Sequence, residues 1–204
     1  LLAGLFFTAG LILIPLTSSC SAVVRESSGD EALKSLRDLT KNGKLPPESI
    51  VLEIENRYAN AKTGALARLL RARIKFESGD FAGAAAILNA NVFAEKTSLG
   101  DYALWLRGRA LQNAGNHAEA MMVFDRMIKE FPTSLRAREA KILWANSALQ
   151  TGQAERIPAF LSELNSKHYA DSLLLTAKAF EQRANQAEAV KFYRLTYFYG
   201  AGTD

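Results

Sequence analysis

The chain has 204 residues, 25 Lys or Arg against 21 Asp or Glu, and a formal net charge of +4. At 49% hydrophobic and 23% charged residues it has the composition of a folded protein, which excludes wholesale disorder. The mild positive charge lacks the dense basic footprint of a nucleic-acid binder.

The first element is Leu1–Ala22, "LLAGLFFTAGLILIPLTSSCSA". An apolar run, a proline and small residues follow one another as in the core and cleavage region of a secretory signal. The run is short for a membrane-spanning helix of about 20 residues, so cleavage is expected rather than an anchor. Cys20 is the sole cysteine and can form no internal disulfide. Its setting, "LTSSC", is similar to the lipobox of bacterial lipoproteins, which would make Cys20 the acylated N-terminus. Thr17 stands where that motif prefers leucine, and ordinary cleavage after Ala22 would discard Cys20. Both readings export the chain to the periplasm or the outer membrane.

Residues 23–64 read as a degenerate N-terminal helical segment. "PPESI" (Pro46–Ile50) marks a helix start, where Glu48 is favoured by the helix dipole. From residue 65 to 200 the chain repeats itself. "SGDFAGAAAILNA" (78–90), "AGNHAEAMMVFDRM" (114–127), "TGQAERIPAFLSE" (151–163) and "RANQAEAVKFYRLT" (183–196) align on their turns. Gly43, Gly79, Gly115, Gly152 and Ala184 follow one another at 36, 36, 37 and 32 residues, a period of two helices and their loops. Glycine ends helices in the left-handed conformation, and Asp80 and Asn116 are good starters for the next. Five residues beyond the turn, Ala84, Ala120 and Ala189 permit close helix approach. Nine beyond, Leu88, Phe124, Leu161 and Tyr193 are large enough to plug the gap between hairpins. The first helices show helical and not alternating periodicity, and strand signals are lacking. Pro158 would break a long second helix, so that helix is expected to begin near Ile157.

The unit Asp101–Ser134 resembles a tetratricopeptide repeat. Leu104, Gly108, Leu111, Gly115, Ala120, Phe124 and Pro132 stand at the signature spacings, and Arg107 departs where an apolar residue is usual. The unit 170–200 matches through Leu173, Ala177, Phe180, Ala189 and Tyr193. The unit 65–92 matches in its second helix, and 138–165 is degenerate. The resemblance implies an all-α, right-handed α-solenoid of about five antiparallel hairpins, acting in protein–protein interaction or scaffolding in the bacterial cell envelope. More distantly, the chain resembles the N-terminal superhelical region of soluble lytic murein transglycosylases, and envelope lipoproteins with such repeats. The alternative function is therefore the non-catalytic solenoid of a peptidoglycan-cleaving enzyme. No capping helix follows "YFYGAGTD", so residues 201–204 are expected to be a truncated end.

In this family the first helices line a concave groove. The repeat register then sets Leu69, Trp105, Ile142 and Leu174 in one row and Arg73, Arg109, Asn146 and Lys178 one turn on. Tyr102 lies one turn before Trp105. Arg73, Tyr102, Trp105 and Arg109 are the candidate binding residues, an aromatic shelf beside donors suited to a peptide, a carboxylate or an anionic polymer. The Lys-x-x-x-Asn pattern of carboxylate-clamp repeats is absent. Arg68, Arg71 and Lys75 read as a solvated outer face, and Met121, Met122 and Met127 as core filler. His117 and His168, the latter opening a helix, lack the spacing of metal ligands. The Glu48-Ser49 pair, although shared with lytic transglycosylases, has none of that family's cleft motifs around it. No catalytic residue, metal or cofactor is expected. The partner is a protein or peptide of unknown identity. Peptidoglycan would be met through a missing domain, and a membrane through the signal or lipid anchor.

Overall fold

A computed structural model of the chain describes residues 29–201. The expected signal, with Cys20, and residues 202–204 lie outside the described residues. Among the described residues the regular structure is entirely helical. Before the first glycine turn runs α1 (Gly29–Thr40), followed by α2 (Glu48–Arg57) and α3 (Lys62–Glu77). Then come α4 (Phe81–Ile87), the short α5 (Val92–Lys96), α6 (Gly100–Asn113), α7 (His117–Glu130) and α8 (Ala137–Gln150). A 3-10 turn (Ala154–Arg156) leads into α9 (Ile157–Phe160) and α10 (Ser162–Ser166). The array closes with α11 (Ala170–Gln182) and α12 (Gln186–Gly200).

One turn chemistry builds the hairpins. Gly43, Gly79, Gly115, Gly152 and Ala184 all have positive φ, from 57° to 83°. At Gly115 the N–H of Asn116 donates to Leu111 O at 2.8 Å and that of Gly115 to Gln112 O at 2.9 Å. This paired pattern satisfies carbonyls that a helix end otherwise leaves open. It recurs at Gly79, Gly152 and Ala184. The residue after the turn then caps the following helix. The side chains of Asp80, Asn116 and Asn185 accept from the N–H groups of Gly83, Glu119 and Glu188. One residue thus ends one helix and starts the next.

Gln153 makes no such cap. There the second helix of the hairpin is replaced by a 3-10 turn and two short helices. It does begin at Ile157 with Pro158 in its first turn, but it breaks again at Leu161, which was not expected. Lys141 and Lys167 grip Glu163 of α10, each at 2.8 Å, and pull its carboxyl from the usual 4.5 to about 2.

The first helices α3, α6, α8 and α11 stand side by side, and the second helices between them pack on their own first helix and on the next one. Ala84, Ala120 and Ala189 are buried, as the close approach requires, and Leu88, Phe124 and Leu161 are buried between hairpins. Tyr193 departs from the expected plug. It is half-buried, and its hydroxyl donates to Glu181 at 2.6 Å. No first helix follows α12 among the described residues to cover it.

Three further expectations need correction. Met121 and Met127 are core residues, but Met122 is 65% exposed, because one step along the helix turns it about 100° away from the buried face of Met121. Arg68, Arg71 and Lys75 do not form a solvated face. Arg71 pairs with Glu55 at 2.6 Å, Lys75 with Glu48 at 3.1 Å, and Arg68 donates to Ile87 O, so they bind α3 to α2 and α4. His168 does not open α11. It is the left-handed residue (φ 58°) that ends α10, and its ring stacks on Tyr199.

Candidate binding groove

The groove is laid out by α3, α6 and the residue before α8. Tyr102 and Trp105 are one turn apart on α6, with ring centroids 5.6 Å apart. Trp105 is half-buried against the core, and its indole N–H is buried without a protein acceptor. Arg109, one further turn along, lies 4.7 Å from the Trp105 ring and 5.3 Å from that of Phe76 on α3. Arg73 comes across from α3. It donates to the Tyr102 hydroxyl at 3.4 Å and pairs with Glu77 at 3.3 Å. The structure therefore brings the four sequence-predicted residues Arg73, Tyr102, Trp105 and Arg109 onto one continuous face.

A fifth group was missed. Arg136, immediately before α8, sits 4.9 Å from the Tyr102 ring and 5.6 Å from Trp105. It is steered by Asp101, whose carboxylate accepts from Ser134 Oγ at 2.6 Å and lies 3.6 Å from Arg136. Its only sequence signal was the "PTSLRAR" junction, which no helical row includes. Beside these cations opens a depression of about 350 Å³. It is lined by Leu66, Leu69, Leu70 and the more exposed Leu99, together with Arg73, Tyr102 and Arg136.

The predicted rows fade from α8 onward. Ile142 is partly buried against the core, and the Asn146 amide donates to Ile142 O of its own helix. Leu174 is half-buried and Lys178 exposed. Glu48, the residue with a superficial catalytic likeness, is the first residue of α2 and is held between Lys75 and Arg71. Among the described residues no cluster of His, Cys, Asp and Glu could hold a metal, and no helix is long and apolar enough to cross a membrane.

No curated protein matches the chain. The family model described as "Tetratricopeptide repeat" matches residues 102–134. That segment is α6, the Gly115 turn, α7 and the Phe-Pro junction, and it carries Gly108 against Phe124 and the buried Ala120. The α6–α7 unit is thus a tetratricopeptide repeat, and the array around it is a tetratricopeptide-like helical solenoid.

Proposed function

We propose that this chain is a protein-interaction module of the bacterial cell envelope, and that the face shared by α3, α6 and the start of α8 holds its partner. Tetratricopeptide repeats in general bind proteins and are not themselves catalytic, which fits the repeat at 102–134. Export rests on the signal-like Leu1–Ala22 segment. The observation that carries the site is the crowding of Arg73, Arg109 and Arg136 around Tyr102 and Trp105. Aromatic and arginine side chains in such clusters are the usual hot spots of interfaces.

The test is an Arg73→Ala/Arg109→Ala double variant. It should keep its helical circular dichroism and lose partners that the wild type retains from envelope extracts. Hot-spot truncations cost roughly 2 kcal/mol or more each. Retention identical to wild type would remove this face from the account.

A further inference from the structure

Resting on the reading of this face as a binding groove, we infer that its ligand is an extended acidic peptide segment built around one bulky apolar residue. The apolar side chain fills the leucine-lined depression, and carboxylates on either side reach Arg73, Arg136 and Arg109. The leucines make the first demand. Leu66, Leu69, Leu70 and Leu99 line the depression with no polar side-chain atom, so an apolar group against them avoids an unmatched desolvation. A volume of about 350 Å³ lies at the small end of ligand pockets and suits a side chain or two.

The arginines make the second demand. Arg73 is engaged by Glu77, but in an exposed i,i+4 pair of the kind that contributes little and yields readily to a competing carboxylate. Arg136 lies 3.6 Å from Asp101, beyond good hydrogen-bond distance. Arg109 pairs with no carboxylate among the described residues; its two neighbours are aromatic rings. Each guanidinium offers five N–H donors, so most of them remain free. The three cations are also spread out. Arg73 and Arg136 flank Tyr102 at the depression, whereas Arg109 sits beyond, between Trp105 and Phe76. Several acidic side chains along one extended strand match that spread better than a single terminal carboxylate does.

The test uses the full chain and fluorescently labelled peptides, read by anisotropy. The first peptide is Gly-Ser-Asp-Glu-Leu-Asp-Glu-Ser-Gly, acetylated and amidated so that no terminal carboxylate exists. It should bind. Replacing its Leu by Ser, or its four acids by Asn and Gln, should weaken binding about tenfold each. Arg73→Ala/Arg136→Ala in the protein should weaken it similarly with helical content unchanged. Leu99→Ser, a change at a rather exposed position, should weaken the Leu peptide but not the Ser peptide. Equal affinity for the Leu and Ser peptides would overturn the inference. So would tighter binding of a neutral peptide with a free C-terminal carboxylate. If no peptide binds while Arg73→Ala/Arg109→Ala still loses its partners from extracts, the ligand class is wrong and the interaction module stands. If no peptide binds and that variant retains every partner, both fall.

Discussion

Gly108→Ala should destabilise the array, although the same change in an open helix would stabilise it. A Cβ on Gly108 would meet Phe124 Cε1 at 2.4 Å and Cζ at 2.5 Å, against an ordinary contact of 3.4–4 Å. Phe124 is fully buried, so its ring has no solvent to swing into. Overpacking of this kind costs typically 1–3 kcal/mol, and a contact so short belongs at about 3. Replacing a mid-helix glycine by alanine returns about 1 kcal/mol of helix propensity. The balance is a loss of about 2 kcal/mol, or roughly 4–8 °C for a chain of this size. The chain supplies its own control. At the same two repeat positions lie Ala72 with Leu88 and Ala145 with Leu161, all of them buried. Gly108→Ala/Phe124→Leu recreates that pairing and should recover more than the sum of the single changes by about 1–2 kcal/mol. Urea unfolding of the four proteins, followed by far-ultraviolet circular dichroism, measures the cycle. A Gly108→Ala protein as stable as wild type, or more so, would refute the close packing of this glycine on the ring.

The left-handed turn residues should respond in opposite directions. Gly115→Ala places a Cβ at φ 78° and should cost about 1 kcal/mol, whereas Ala184→Gly relieves a φ of 57° and should gain about 0.5 kcal/mol. Chemical denaturation of both variants checks the pair, and a shared sign would be inconsistent with one turn type at both sites. Glu163 predicts an acid limit. Its folded-state value, about 2, lies below its ordinary 4.5, so its contribution is fully present above about 4.5 and is lost as the pH falls toward 2. Glu163→Gln should flatten the pH dependence of stability within that window, and an unchanged profile would mean that the Lys141 and Lys167 bridges are not formed in solution.

The hairpins were legible because their punctuation is local. A glycine that ends a helix, and an Asp or Asn that starts the next, act within six residues through backbone hydrogen bonds. The interruption at Leu161 was only half legible. Pro158 signalled where the helix begins, and Gln153 is a poorer cap than Asp or Asn, but the bridge from Lys141 on α8 to Glu163 depends on a folded neighbour. Arg68, Arg71 and Lys75 were misread for a related reason. A charged face at helical spacing does not say whether it meets water or carboxylates, and Glu48 and Glu55 lie on a different helix. Tyr193 matched the pattern of a plug, yet burial of that position needs a covering helix as well as the right residue. In the groove, Tyr102, Trp105 and Arg109 were legible because i, i+3 and i+7 share a helix face. Arg136 was not, because its direction is set by Asp101 across a junction.

The arginines of the groove also explain why this face is poised for an anion rather than merely charged. A cation over a ring gains about 0.5–2 kcal/mol, so Arg109 on Trp105 is held in place without a carboxylate partner, and Arg136 on Tyr102 meets Asp101 only at 3.6 Å. An arginine free in solvent would lose about 0.5–1.5 kcal/mol of side-chain freedom on capturing a ligand. Here the stacking has already restricted the guanidinium while leaving its donors open. The rings themselves are fixed from below, since Trp105 packs into the two larger core clusters. Stability and binding therefore meet in Trp105, and truncating it would confound the two. Arg73 is exposed and Arg109 and Arg136 are only half-buried, so their removal disturbs the core less than truncating Trp105 would.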